Sequence, residues 1–427
     1  MIEKCPIISK TQNLLIFQRH TIMKNTLLFH FIGLILCLGT FVSAEEIKID
    51  ADFPGGNIIV LGIEKNTVQL QQDLRDTNGN WFYWSFRIRG AEGRTLNFVF
   101  KGRVIGACGP AVSVDGGANW RWLGPLNAPA NNFSYKFGPD EKEVFFSMGM
   151  NYTGRELQRF LVRHEANPAL KVETLCKTKK GRDVELIRIP GKGNEADFKV
   201  FLTARNHCCE MMGSYSMEGI IETILSDSDD GRWLREHCDF FIVPLVDRDG
   251  VEDGDQGKNR NPHDHNRDFF LQTYPEIQAI TRQVPEWQNG KPIFCLDIHC
   301  PALRGGSNGE RPEEGTNEYL YQVGSELEDV WKMQQRFGKI LEAEKKGPIP
   351  YKASFNLPYG KSWNTAANSG PDLQSCSQWG RTLSPLAFAS SFEIPYANAS
   401  GVEVNADSAR VLGHDIARTM RVYLETQ

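Results

Sequence analysis

Residues 197–210 read Asp197-Phe-Lys-Val-Phe-Leu-Thr203-Ala-Arg-Asn-His207-Cys-Cys-Glu210. The first half is a short aromatic and β-branched run, the pattern of a strand buried on both faces. The second half sets an imidazole and a carboxylate three residues apart, directly after that strand. A helical pattern follows over Ser214–Leu225. A buried strand, a polar turn and a helix in that order predict an α/β unit, and the rest of the chain repeats the alternation. Gly154–His164 predicts a short helix with Leu157, Phe160 and Leu161 on one face. Phe240–Leu245, Ile293–Ile298 and Ala387–Ile394 predict strands. Pro275–Val284, Glu318–Ala343 and Ser408–Leu424 predict helices. The expected fold is a mixed, mostly parallel sheet with helices on both faces. In such sheets, sites gather at the carboxyl ends of the strands. His207, Glu210, His299 and Glu393 all fall at such ends.

Upstream of Thr153 the pattern has period two. Trp81-Phe-Tyr-Trp-Ser-Phe-Arg-Ile-Arg89, Leu96-Asn-Phe-Val-Phe100 and Glu143-Val-Phe-Phe-Ser-Met148 alternate bulky and polar residues, and Asn57-Ile-Ile-Val-Leu-Gly62 is apolar and β-branched. Turn signals at Asn78-Gly and Asp115-Gly-Gly separate them. Residues 45–152 therefore predict a small antiparallel β-sandwich ahead of a larger domain over 153–427. From Met23, a lysine, an apolar run over Leu27–Val42 and the small-residue pattern Val42-Ser43-Ala44 read as a signal peptide. Met23 is then a candidate true start, cleavage is expected after about Ala44, and the mature protein is expected to be secreted or periplasmic. An uncleaved anchor is the alternative; no membrane span is expected after cleavage.

The chain of 427 residues carries a net charge of -5, which discourages binding to phosphate backbones. Residues 1–44 hold four Lys/Arg and one Glu, so their removal moves the charge from -5 to -8. No Lys/Arg cluster with interleaved aromatics occurs, and no nucleic-acid partner is expected. Eight of the ten cysteines follow residue 44, without a CxxC pair. Spacing alone gives no disulfide connectivity.

Four elements carry chemistry. On a turn entering a helix, residues i and i+3 project to one side, so His207 and Glu210 can bind one zinc ion. A third ligand from elsewhere would leave a coordination position open, as a catalytic zinc needs. A closed thiolate site from Cys208, Cys209 and Cys300 is the competing metal reading, disfavoured because adjacent cysteines rarely point the same way. The second element is Asp247-Arg-Asp-Gly-Val251 followed by Asn259-Arg-Asn-Pro-His-Asp-His-Asn-Arg-Asp268. Its arginines could hold a carboxylate or an oxyanion. The third is the strand-end histidine of Leu296-Asp-Ile-His299. The fourth is Phe392-Glu393-Ile-Pro-Tyr396, where burial would raise the carboxyl pKa and suit it to proton transfer.

In this order the elements resemble the M14 family of zinc carboxypeptidases, over roughly residues 150–425. The β-region resembles that of the cytosolic-carboxypeptidase-like branch, through Trp81-Phe-Tyr-Trp-Ser-Phe-Arg87, Tyr152-Thr-Gly-Arg-Glu-Leu-Gln-Arg-Phe-Leu161 and Leu175-Cys-Lys-Thr178. The resemblance implies one zinc ion per chain, held by His207, Glu210 and His299. It implies Glu393 as general base and Arg260 as the oxyanion-stabilising arginine. Asn266 and Arg267 would grip the substrate's terminal carboxylate, and Asp264 would fix the tautomer of a ligating imidazole, His207 being the expected partner. The implied activity is release of a C-terminal residue from peptides or proteins. Cell-wall peptide stems are an alternative substrate, and an inactive secreted binding protein is the non-enzymatic alternative. This chain departs from the family pattern: Cys208-Cys209 replaces Pro-Gly, Asp247-Arg248-Asp249-Gly250 replaces Asn-Pro-Asp-Gly, and His265 adds an imidazole. Tyr359 and Trp379 are candidates for the family's loop aromatic. Arg304, Lys361 and Arg381 are candidate cations for a specificity pocket.

Overall fold

A computed structural model describes residues 46–106, 108–124, 130–192, 196–303, 319–368, 370 and 372–427. The leader expected over residues 1–44 lies outside them, as does Arg304. Among the described residues, no helix is long and apolar enough to cross a membrane.

The first part of the chain forms β1 (Lys48–Asp50), β2 (Ile59–Glu64), β3 (Thr67–Gln71), β4 (Ser85–Arg89), β5 (Thr95–Phe100), β6 (Ala111–Ser113), β7 (Arg121–Trp122), β8 (Asn132–Lys136) and β9 (Glu143–Ser147). They build two sheets, ordered β1-β4-β9-β6-β7 and β2-β3-β5-β8. Every ladder is antiparallel except β3 with β5, which is parallel. The period-two alternation turns one face of β3, β5 and β8 inward. Trp84 stacks on Phe86 (centroids 5.8 Å) and Phe98 on Phe133 (4.7 Å), while Phe133 meets Phe146 at 5.3 Å. The buried Trp84 indole donates Nε1–H to the Val104 carbonyl oxygen at 2.8 Å, so its polar edge is satisfied.

The second part adds α1 (Gly154–His164), β10 (Lys171–Lys177), β11 (Asp183–Ile189), β12 (Phe198–Ala204), α2 (Met212–Leu225), α3 (Asp229–His237), β13 (Cys238–Val243), α4 (Arg248–Asp253), α5 (Pro275–Gln288), β14 (Ile293–His299), β15 (Tyr321–Val323), α6 (Glu328–Glu344), α7 (Cys376–Gly380), β16 (Leu386–Glu393) and α8 (Ala406–Glu425). The seven strands order as β10-β11-β13-β12-β14-β16-β15. The four central strands run parallel and the flanking ones antiparallel, so the expected mixed sheet is present. Side-chain alternation sorts the central strands into two cores. Val200, Leu202, Phe294 and Phe388 pack with α2, α6 and α8, whereas Phe201, Cys295 and Ala389 pack with α5 and α7. The first of these cores is continuous with the aromatic core of the N-terminal sheets. Helices α2 and α8 approach closely because Gly413 has no side chain. A Cβ there would stand 2.1 Å from the Ser216 carbonyl oxygen.

Three features differ from the sequence expectation. The helix expected over Glu318–Ala343 begins only at Glu328, and Tyr321–Val323 before it forms β15. There Tyr321 pairs with Glu393, which covers hydrogen-bonding groups that β16 would otherwise leave at an open edge. The hairpin β10–β11 and the short helices α3, α4 and α7 add to the expected elements; helices this short bury little of a periodic face.

Trp84→Ala is expected to lower the unfolding free energy by about 3–5 kcal/mol, the range for truncating a buried aromatic. A urea unfolding midpoint equal to that of the unsubstituted chain would contradict this.

Candidate metal centre and active site

Strand β12 ends at Ala204, and the chain turns sharply through Arg205, whose φ is +64°. The buried Arg205 guanidinium donates to the carbonyl oxygens of Cys208 and Tyr152 and to Ser214 Oγ. These bonds tie both ends of the turn that carries His207 and Glu210. Strands β14 and β16 lie side by side in register, so His299 and Glu393 are direct Cα partners at the adjacent strand ends.

His207, Glu210 and His299 converge, with one ligand atom from each within 4.8 Å of the others, and all three are buried. His207 Nδ1 stands 3.0 Å from Glu210 Oε1, and His299 Nδ1 stands 2.7 Å from Glu210 Oε2. The opposite ring nitrogens meet other carboxylates. His207 Nε2 is 3.4 Å from Asp264 Oδ1, an ion-pair contact rather than an aligned hydrogen bond. His299 Nε2 is 2.5 Å from Asp297 Oδ2. Asp297 is fixed in turn, because its Oδ1 accepts from Thr203 Oγ1 at 2.7 Å and Asn206 Nδ2 at 2.8 Å. Two imidazoles and a carboxylate, with each outer ring nitrogen facing a carboxylate, form a donor set that fits zinc and leaves a position open.

Charge dominates this cluster. Burial would raise the Glu210 pKa, but Lys258, His207 and His299 hold it well below the carboxylate range. Burial would likewise lower the pKa of His299, yet Asp297 and Glu210 hold it well above the usual value. Glu393 behaves oppositely. Burial, then the nearby negative charge of Glu210, pushes its pKa up to about 7. Its Oε2 accepts no hydrogen bond among the described residues. Glu393 thus suits proton transfer near neutral pH.

The cluster opens into a cavity of about 360 Å³ lined by His207, His299, Glu393, Asp264, Asn266 and Arg267. Asn266 Oδ1 accepts from the Cys376 backbone at 3.0 Å, and its Nδ2 lies 3.4 Å from His299 Nε2. Arg267 Nη1 donates to the Asn266 carbonyl oxygen at 2.8 Å. Tyr359 lines this cavity, whereas Trp379 is packed against Phe201 and Phe269 in the core. Of the described specificity candidates, Arg381 lines the cavity and pairs with Glu326, while Lys361 is exposed outside it. The thiols of Cys208, Cys209 and Cys300 are buried and free, and they form no ligand set among the described residues.

Arg260 does not join the cluster. Its Nε donates to Asp76 at 2.9 Å, its Nη1 to Asp247 at 2.6 Å and its Nη2 to Asp255 at 2.9 Å. The oxyanion role expected for it is therefore not supported by its position, because every guanidinium nitrogen is engaged by a carboxylate outside the cavity lining. Two residues earlier, Lys258 does line the cavity, with Nζ 2.5 Å from Glu210 Oε1. Sequence reasoning passed over Lys258 and Asp297. The i−2 spacing of Asp297 from His299 puts both on one face of the strand and was a usable signal. His265 stacks on Tyr274 at 3.8 Å, away from the ligand cluster.

Asp297→Asn is expected to weaken zinc binding about 10–100-fold, as outer-shell carboxylate changes do. Chelator competition measures this, and an unchanged affinity would contradict the role of Asp297 in orienting His299.

The Peptidase_M14 profile, zinc carboxypeptidase, matches residues 159–294, which include His207, Glu210 and Asp264 and stop short of His299 and Glu393. The chain is 32% identical over 160 residues to cytosolic carboxypeptidase 2 of Xenopus tropicalis, covering 35% of this chain and 16% of that protein. It is 26% identical over 306 residues to cytosolic carboxypeptidase 6 of Caenorhabditis elegans, covering 63% and 65%. The first of these matches thus spans about a sixth of the relative's length. Among solved structures, a metallo-carboxypeptidase from Burkholderia cenocepacia superposes with a TM-score of 0.71 at 19% identity, covering 90% of this chain and all of that one. A metallo-carboxypeptidase from Pseudomonas aeruginosa gives 0.68 at 23% identity, covering 88% and 99%. At these identities the likeness is one of fold. Residues 159–294 are thus similar to the M14 zinc carboxypeptidases, and the chain shares the fold of the metallo-carboxypeptidases above.

Proposed function

We propose that the chain is a zinc-dependent metallocarboxypeptidase that hydrolyses the C-terminal peptide bond of peptides or proteins. The observation that carries this reading is the convergence of a His/Glu/His donor set and a pKa-raised carboxyl, Glu393, on one cavity. Arg267 on the same cavity is a guanidinium suited to a terminal carboxylate, which it can grip through paired hydrogen bonds. Asn266 beside it offers an amide for the same group.

A zinc ion held by His207, Glu210 and His299 would polarise the scissile carbonyl and lower the pKa of a water molecule. The remaining work falls to the protein. Arg267 and Asn266 orient the substrate by its terminus, which brings the last peptide bond to the cluster. Glu393 takes a proton from the attacking water and returns it to the departing amine. Asp297 holds the imidazole of His299 in a fixed tautomer, and Asp264 faces the outer nitrogen of His207.

The direct test is hydrolysis of peptides that vary at the C-terminal residue, with cell-wall peptide stems as a second substrate arm, together with zinc content and a chelator control. Chelator-sensitive release of single C-terminal residues supports the reading. Full zinc loading without hydrolysis of either arm would favour a binding protein instead. Glu393→Gln should abolish turnover while zinc stays bound; retained activity would remove Glu393 from the base role. Because the base must be deprotonated, kcat/KM should rise with pH through the titration of Glu393. A bound dication would lower that titration, so the half-maximum is expected at or below about pH 7. A flat acid limb between pH 5 and 7, with the substrate's own ionisation controlled, would count against it.

A further inference from the structure

The cavity wall beside Glu210 holds a cation that the expected site roles leave unused. Lys258 sits on the loop between α4 and Asp264. Its Nζ lies 2.5 Å from Glu210 Oε1 and 4.7 Å from the ring centroid of Trp81, which also lines the cavity. The lysine is buried, and its ammonium faces the Glu210 carboxylate and the ring of Trp81 on the cavity wall.

The loop is built to present this side chain. Gly257 has φ +72°, and a Cβ there would stand 2.6 Å from the backbone nitrogen and sulfur of Cys208. Only glycine lets the backbone before Lys258 press against the turn that carries His207 and Glu210. From the N-terminal region, the Asp76 carboxylate accepts from the backbone N–H groups of Gln256 at 3.0 Å and Gly257 at 2.9 Å, and from Arg260 Nε. The Gln256 amide is bonded to both backbone groups of Tyr83 at 2.8 Å. These bonds point Arg260 into the carboxylates and leave Lys258 facing the cavity. Among the described residues, the other lysine and arginine side chains lining the cavity are Arg267 and Arg381. Arg381 is paired with Glu326, and Arg267 stands beside Asn266.

We propose that Lys258, in place of Arg260, supplies the positive charge that stabilises the oxyanion formed during peptide hydrolysis, and that Trp81 of the N-terminal region braces it. The inference rests on the carboxypeptidase reading above. As the water oxygen adds to the carbonyl carbon, the carbonyl π pair moves onto its oxygen and the water proton passes to Glu393. The Lys258 ammonium donates a hydrogen bond to that oxygen. When the pair returns, the C–N bond breaks, and the amine leaves with the proton from Glu393. An ammonium at this position acts on charge that develops only in the transition state, so its contribution should fall on kcat more than on KM.

The test uses the full chain with Lys258→Met and Lys258→Arg, checking folding by thermal melting. Lys258→Met is expected to lower kcat about 10²–10³-fold with KM little changed, and Lys258→Arg to recover a large part of it. Zinc affinity, measured by chelator competition, should hold or tighten in Lys258→Met, because a cation beside Glu210 has been removed. A phosphonate peptide analogue should bind that variant more weakly, while a ligand carrying only the terminal carboxylate should not. A kcat within threefold of the unsubstituted chain overturns the proposal. So does a loss of zinc affinity as large as the loss of turnover, which would make Lys258 a support of the metal site. Inactivity of the unsubstituted, zinc-loaded chain would defeat the carboxypeptidase reading instead. In that case, unchanged phosphonate binding by Lys258→Met would still overturn the role of Lys258.

Discussion

A single buried carboxylate organises this site. Glu210 is almost sealed from solvent, and both its oxygens are spoken for: His207 and Lys258 at Oε1, His299 and the Cys300 backbone N–H at Oε2. An isolated charge at such depth would be strongly unfavourable, and it persists only with opposite charge and hydrogen bonds around it. Its partners come from four places in the chain: the turn after β12, the end of β14, the residue after β14 and the loop preceding Asp264. Satisfying Glu210 therefore requires the sheet register, the Arg205-braced turn and the loop to be correct together. The same charge sets the chemistry of its neighbour, since Glu210, after burial, raises the Glu393 pKa.

The N-terminal sheets share in the site rather than standing apart from it. Their aromatic core runs on into the core under α2 and α8. Asp76 and Tyr83 hold the loop from Gln256 to Arg260, and Trp81 reaches the cavity wall. A loop rich in glycine and polar residues has little cohesion of its own. Here its conformation is imposed by hydrogen bonds from residues about 180 positions earlier. A β-region of this kind could stabilise a catalytic domain by packing alone. In this chain it also decides which cation faces the ligands.

How much of this was legible in the sequence depends on the element. Strands β12, β14 and β16 were readable because each is a short, mainly apolar run. His299 and Glu393 close two of them, and His207 and Glu210 follow the third within six residues. The strand β15 was not readable, because three residues ahead of a helix carry no period of their own. Trp379 and Tyr359 were indistinguishable as aromatics near a late strand. Packing put the first against Phe201 and left the second at the cavity.

By itself, the sequence determined the fold class, because periodicity is a local property of the chain. The candidate ligands and base were legible through the order of short motifs along the chain and its resemblance to the zinc carboxypeptidases. Tertiary structure alone decided the assignment of the positive charge. Arg260 and Lys258 are two residues apart on an irregular loop, and no local pattern orients them. Three carboxylates, Asp76, Asp247 and Asp255, surround the first, while the second meets Glu210 and Trp81. Which cation faces the site is settled by the electrostatic balance among groups scattered from Asp76 to Glu393, and that balance exists only once the chain has folded.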